Sequence, residues 1–409
     1  MEVLHGSCAG LDVHKDVVVA CVRLQAAGEA KRECRRFSTM THDLLELSEW
    51  LASRGCTHVA MEATGVYWKP VWHVLEGSFE LVLANAMHIR NVPGRKTDVN
   101  DATWIADLLA HGLIRGSFVP PEPVQQMRDL TRTRRQLVRE IAQHTQRIQK
   151  TLEDANIKLD SVLSDILGAS GRTIVEAIIA GKTDPGELSK LASPRVKASR
   201  TQIAEALRGR VTEHHRFLLK LHLGQIDALQ DAVREVEARM GEALKPFRTQ
   251  VDLLLTIPGV KRTTAETIVA EIGFDMGRFP TAGHLVSWAG LCPRMDESAG
   301  KRRSTRTRKS AQWLKPVLVQ AAWAAGRKKG TYANSQFLRL RARRGGKKAA
   351  VAVASSLLVA AYHMLRDGTE YADLGPAYFD LRNKQQAANR LIRRLKDLGM
   401  TVQVSPAAA

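Results

Sequence analysis

The sequence predicts an α/β amino-terminal domain, a long helical linker region and a mainly α carboxy-terminal domain. Three observations predict this order. Short β-branched runs separated by polar turns fill the first 119 residues, and Pro120, Pro121 and Pro123 then break the chain. Two long polar stretches follow, with apolar residues recurring at steps of three and four. Charge divides at the same place: residues 1–119 hold 12 Lys+Arg against 14 Asp+Glu, and the remainder holds 49 against 28. The net charge of +19 over 409 residues favours a polyanionic partner, concentrated on the second part of the chain. With 44 % hydrophobic and 25 % charged residues, the composition excludes a disordered chain.

In the first domain, Gly10–Val13 and Val17–Arg23 are apolar runs around a His14-Lys15-Asp16 turn, a hairpin signal. Glu33–Phe37 supplies a third strand, and Thr41 is expected to cap a helix carrying Leu44, Leu47 and Leu51 on one face. His58–Glu62 and Leu81–Ala84 are brief β-rich runs with helical material between them. Three strands, a helix, a strand, a helix and a strand is the order of an RNase H-like fold, although spacing does not separate it from other α/β folds.

Beyond the prolines, a helix is expected from about Val124 to Leu159, with Leu130, Leu137, Ile141, Ile148 and Leu152 along it. A second, near Arg216–Met240, places Ile226, Leu229, Val233, Val236 and Met240 on an a/d seam of coiled-coil type. The seams fit pairing within one chain or between subunits equally well. Residues 251–272 read as helix, Pro258-Gly259-Val260 turn, and helix opened by Thr263 or Thr264, a helix-hairpin-helix pattern. Its amides and helix N-terminus suit a DNA phosphate; a plain helical turn is the simpler account. Residues 301–309 and 339–348 carry six basic residues each and no acid, which favours a nucleic-acid track over two solvated loops. Lys261, Lys301, Arg302, Arg303, Arg306, Arg308 and Lys309 are the candidate contacts. Trp288, Trp313 and Trp323 read as core residues.

The five cysteines form no CxxC pair and no HExxH occurs, which disfavours structural zinc. The first residues lack the apolar core of a signal peptide. Ala349–Leu365 is uncharged for 17 residues, short of the roughly 20 a membrane span needs, so a buried helix is expected. A reducing cytoplasm, bacterial or archaeal, is the expected compartment.

Phosphodiester cleavage calls for Mg²⁺ held by oxygen ligands, so carboxylates should interrupt apolar patterning. Asp12 interrupts the first strand and Glu62 ends the run Val59-Ala60-Met61. Asp98 and Asp101 are three apart, which on a helix turns them the same way. That arrangement is the one RNase H-like nucleases use. The alternative stays open that Asp98 is a helix cap and Asp101 a first-turn acid.

The segments GLDVHKD, MEATGVYWKP and GRKTDVNDATWIADLL closely resemble the amino-terminal motifs of the DEDD transposases of the insertion-sequence 110 family. TIPGVKRTTAETIVAEIG, FPTAGHLVSWAGLCPR and Ser298-Ala299-Gly300-Lys301 resemble the family's transposase domain, and the blocks fall in family order. The resemblance implies a RuvC-like domain over 1–119, a coiled-coil linker over 120–250, a serine-bearing transposase domain over 251–375 and a tail over 376–409. It implies metal ligands at Asp12, Glu62, Asp98 and Asp101, a nucleophile at Ser298, and Mg²⁺ as cofactor. It further implies donor and target DNA, a structured guide RNA encoded by the element, and multimers in which one subunit's metal cluster completes another's serine site. Ala299 departs from the family's Ser-Gly-Gly, which stiffens the loop expected around Ser298. Ser310-Ala311 replaces a common Gly-Asn pair, so Ser304 and Ser310 are rival nucleophiles. The rival functions are a metal-dependent junction nuclease using water and a non-catalytic nucleic-acid-binding protein.

Overall fold

Among the described residues, five strands and three helices lie in the first unit, Met1–Val119. They are β1 (Ser7–Val13), β2 (Val17–Ala26), β3 (Glu29–Ser38), α1 (Thr41–Ser53), β4 (His58–Glu62), α2 (Trp68–Leu75), β5 (Glu80–Ala84) and α3 (Asp101–Ala110). The computed structural model describes residues 2–26, 29–62, 65–84, 89, 101–114, 116–293, 296–298, 300–304, 306–307 and 311–403. The sheet order is β3-β2-β1-β4-β5. Short turns make β1, β2 and β3 antiparallel neighbours, whereas helical crossovers return β4 and β5 parallel to β1.

Alternation along the strands sends Ala9, Leu11, Val18, Ala20, Val22, Val59 and Met61 to one face, against Leu44, Leu47, Leu51, Val71 and Leu75 of α1 and α2. The other face buries Cys8, Ala60 and Ala84 against Ile105, Leu108 and Leu109 of α3. With both faces covered, β1 and β4 read as nearly continuous apolar runs. Thr41 does not cap α1. Met40 is the N-cap and makes no side-chain cap bond; the Ser38 hydroxyl accepts from the Met40 amide and donates to Asp43 of the first turn.

The second unit, Pro120–Ala409, is helical. Its first half is α4 (Glu122–Asp154), α5 (Leu159–Val162), α6 (Ala169–Ile179), α7 (Pro185–Lys190), α8 (Arg200–Ala206) and α9 (Glu213–Ala243). Helices α4 and α9 pair with each other inside the chain. They run antiparallel, as Arg134–Glu237, His144–His222 and Asp154–His215 pairs mark successive levels. Ile148, Leu152, Leu219, Leu223 and Ile226 are buried at the end of the pair near α5–α8. The seam residues Ile141, Leu229, Val233 and Val236 are half-buried. Residues 165–210, which no sequence pattern placed, pack there through Ile174, Ile178, Leu188 and Ile203.

The second half is α10 (Arg248–Leu255), α11 (Arg262–Ile272), α12 (Ala282–Trp288), β6 (Asp296–Ser298), β7 (Lys301–Ser304), α13 (Leu314–Ala325), α14 (Tyr332–Arg344), α15 (Gly346–Asp367), α16 (Tyr378–Leu381) and α17 (Lys384–Asp397). Helix α11 opens one residue before the expected threonines, with Lys261 as N-cap and no side-chain cap bond. Gly259, at φ +83°, makes the turn before it. A Cβ there would lie 2.4 Å from the Ala321 carbonyl oxygen, so the turn packs directly on α13. Helix α15 is long and apolar enough to cross a membrane, yet half of its apolar window is buried in this unit. Val353, Leu357, Leu358 and Tyr362 are among its buried residues, and the Tyr362 hydroxyl donates to the Phe279 carbonyl at 3.0 Å. Trp288 and Trp323 pack on the core. Trp313 instead receives the guanidinium groups of Arg132 and Arg135 over its ring.

Candidate active site

In the parallel register of β1 and β4, Leu11 stands opposite Met61. The next residues, Asp12 and Glu62, therefore close neighbouring strands at the same end. By alternation both lie on the α3 face, with Cys8, Gly10 and Ala60. Gly10 lets α3 come down onto that face. A Cβ on it would be 2.2 Å from the Ala102 oxygen and 2.4 Å from the Ala106 nitrogen. The direction of α3 follows from its contacts: Cys8 Sγ donates to the Ala106 oxygen at 3.6 Å, and the Leu4 amide donates to the Ala110 oxygen at 2.8 Å. The helix therefore runs antiparallel to β1 and begins, at Asp101, over the end where Asp12 and Glu62 lie. Asp98 lies outside the described residues.

Asp12, Glu62 and Asp101 are thus placed at that one end of the unit. Among the described residues, the group whose ligand atoms all fall within 4.8 Å is His42, Asp43 and Glu46, in the first two turns of α1. Asp12 is hydrogen-bonded to His14 Nε2 at 3.1 Å, a partner that the sequence reading missed. The spacing Asp-Val-His at a strand end was its signal, since residues two apart share a face. Further along α3, Asp107 is held by Arg23 at 3.1 Å and by Arg32 at 3.1 Å, so this acid belongs to a structural ion-pair network. As a donor set, Asp12, Glu62 and Asp101 offer only hard oxygen, which suits a divalent cation such as Mg²⁺.

Ser298 was expected in a loop; it is the last residue of β6, paired with Lys301 of β7 across a tight turn. Gly300 in that turn has φ +72°, a left-handed conformation that glycine adopts without strain. The ladder is irregular between Asp296 and Glu297, where the register shifts by one residue. Ser304 pairs with Asp296, and its hydroxyl accepts from the Arg306 amide at 3.2 Å. At the base, Lys315 Nζ donates to Thr307 Oγ1 at 2.6 Å and to the Gly290 oxygen at 2.9 Å, and burial lowers its pKa. Ser310 lies outside the described residues.

Of the basic candidates, Lys261, Lys301 and Arg306 are exposed. Arg302 and Arg303 sit on β7, and Arg308 and Lys309 lie outside the described residues. Not every arginine of this unit faces solvent. Arg128 and Arg132 of α4 are spent on Glu271, which is 2 % exposed.

Two transposase family models match the chain. The DEDD model of IS110 type covers residues 9–157, and the model described as transposase IS116/IS110/IS902 family covers 251–337. Asp12, Glu62, Asp98 and Asp101 fall in the first match and Ser298 in the second. A curated relative, the insertion element IS110 uncharacterized 43.6 kDa protein of Streptomyces coelicolor, is 26% identical over 328 residues, 71% of this chain and 75% of its own length.

Proposed function

This chain belongs to the IS110 family of transposases and is a DNA-recombining enzyme; from that premise we propose that it is an RNA-guided recombinase that moves an insertion sequence by serine chemistry. The observation that supports the reading is the placement of Asp12, Glu62 and Asp101 at one end of the sheet, two on neighbouring parallel strands and one at the start of the helix laid over them. Asp98, three residues before Asp101, is the fourth proposed ligand. Mg²⁺ bound there would neutralise charge on the scissile phosphate.

Ser298 is the proposed nucleophile. Its oxygen bonds to phosphorus, the bond from phosphorus to the leaving deoxyribose oxygen breaks, and the leaving hydroxyl takes up a proton. The phosphoserine keeps the energy of the broken linkage until a hydroxyl of a second DNA end attacks phosphorus and releases the serine. Lys301, paired with Ser298 across the hairpin, and Arg302, Arg303, Arg306, Arg308 and Lys309 supply positive charge for the phosphates. Lys261 beside the Gly259 turn is a proposed backbone contact of a helix-hairpin-helix. The first unit is proposed to be RuvC-like, α4 and α9 to form the coiled-coil linker, and the working assembly to be a dimer or tetramer bound to a structured guide RNA at the nucleoid.

A suicide DNA substrate nicked near the scissile phosphate tests this. Mass spectrometry of the trapped protein should find nucleotide on Ser298. Ser298→Ala, Asp12→Asn and Glu62→Gln should each abolish the adduct, as should EDTA. Nucleotide on Ser304 or Ser310 would overturn the serine assignment, and cleavage without any adduct would make the protein a nuclease that uses water.

A further inference from the structure

We infer that Cys21 and Cys34 form a dithiol that a small disulfide oxidant converts, reversibly, into a cross-strand disulfide beneath the first turn of α3. The two residues stand directly opposite each other on β2 and β3. Odd-numbered residues of β2 turn their backbone groups toward β1: the Val17 oxygen accepts from the His14 amide, and the Gln25 amide donates to the Gly6 oxygen. Cys21 has the same parity. Its pairing with Cys34 is therefore of the non-hydrogen-bonded kind, in which opposed Cα atoms lie about 4.5 Å apart and side chains are closest. That separation falls within the range of about 4.4–6.8 Å that disulfides span.

Thr103 of α3 completes the cluster. Its hydroxyl donates to Cys21 Sγ at 3.3 Å and lies 3.5 Å from Cys34 Sγ. Cys21 is fully buried and Cys34 is exposed, so one thiol meets solvent while the other waits behind it. Burial and the neighbouring Cys34 thiol push the Cys21 pKa up to about 12. The first attack therefore falls to Cys34.

The exchange balances in two steps. The Cys34 thiolate attacks one sulfur of the small disulfide, breaking its S–S bond and releasing one small thiol. Cys21 then attacks the Cys34 sulfur of the mixed disulfide as its proton passes to the departing thiolate, which leaves as a second small thiol. The protein loses two electrons and two protons, and the oxidant gains both. Oxidation removes the Cys34 thiol proton from its contact with the Thr103 hydroxyl, and the helix of Thr103 begins two residues earlier at Asp101. An effect on cleavage rests on the metal-site reading above; the disulfide itself does not.

The test uses the full chain. The protein is treated with oxidised glutathione, remaining thiols are alkylated, and the digest is read by mass spectrometry. A linked Cys21–Cys34 peptide that disappears on treatment with dithiothreitol is expected, with Cys8 and Cys56 still alkylated after denaturation. Cys34→Ser should abolish the link and Cys56→Ser should leave it. Glutathione persisting on Cys34 while Cys21 stays reduced would overturn the inference. Amide exchange over residues 102–105 should rise on oxidation, and unchanged exchange would overturn the coupling to α3. DNA cleavage by the reduced protein is measured alongside, so that failure of the metal-site reading shows as inactivity whether or not the disulfide forms.

Discussion

Gly10 and Ala102 meet backbone to backbone: a Cβ on Gly10 would lie 2.2 Å from the Ala102 carbonyl oxygen. The neighbour is main chain and cannot swing aside, so any side chain here must push the whole of α3 off β1. Gly10→Val is expected to cost about 1–3 kcal/mol of stability through overpacking and to abolish adduct formation by moving Asp101. Chemical denaturation followed by circular dichroism measures the first effect. A variant with unchanged midpoint and activity would show that this contact does not set the position of α3.

Glu271 should matter to stability and not to chemistry. Arg132 grips its carboxylate with two bonds of 2.8 and 2.9 Å, and Arg128 donates to its backbone oxygen at 2.7 Å. Its side chain is 3 % exposed, so removing it strands guanidinium charge in a poorly solvated place. Glu271→Ala is expected to cost about 3–5 kcal/mol, read as a lowered denaturation midpoint. A loss below about 1 kcal/mol would mean that the pair behaves as a surface ion pair.

The α4–α9 pair should weaken in acid. Desolvation, then the charges of His144 and Arg147, lower the His222 pKa from its ordinary value of 6.5. The unfolded chain therefore takes up the proton first as pH falls. The contribution of His222 is present above the unfolded value and is lost as pH drops through it toward the lower folded value. Denaturation midpoints should decline as pH falls through the ordinary value of 6.5, and the slope should shrink in His222→Gln. Some slope should remain, because burial and His58 lower His5 in the same direction. An identical slope in the variant would count against the argument.

The basic surplus beyond residue 119 leads to a prediction about RNA. Protein purified at moderate salt should carry a discrete RNA species, and binding should weaken steeply as salt rises because Lys and Arg contacts release counterions. Recombination undiminished in rigorously RNA-free protein would refute the guided mechanism while leaving the serine assignment standing.

Much of the first unit was legible from local pattern. Short apolar, β-rich runs marked β1, β2, β4 and β5, and the acids at their ends singled out Asp12 and Glu62 as candidates before any neighbour was known. The a/d spacing identified α4 and α9 as long helices, because apolar periodicity is a property of a segment by itself. Local cues misled at helix starts: Thr41 was the expected cap of α1 and Thr263 or Thr264 the expected opening of α11, whereas the N-cap positions fall at Met40 and Lys261, neither with a side-chain cap bond. Ser298 looked like a loop residue because its segment is too short and polar to carry a strand pattern.

What the sequence by itself determined is therefore composition of parts: which stretches are strand or helix, which part of the chain is basic, and which segments match the family's models. Only the tertiary structure decided which parts meet. The β1–β4 register, the antiparallel descent of α3 onto Gly10, the closing of α4 on α9 within one chain and the facing of Cys21 and Cys34 all depend on pairings between segments. Local periodicity carries no information about such pairings. They are selected by burying both faces of the sheet and both helix seams at once, a condition that the whole chain must satisfy together.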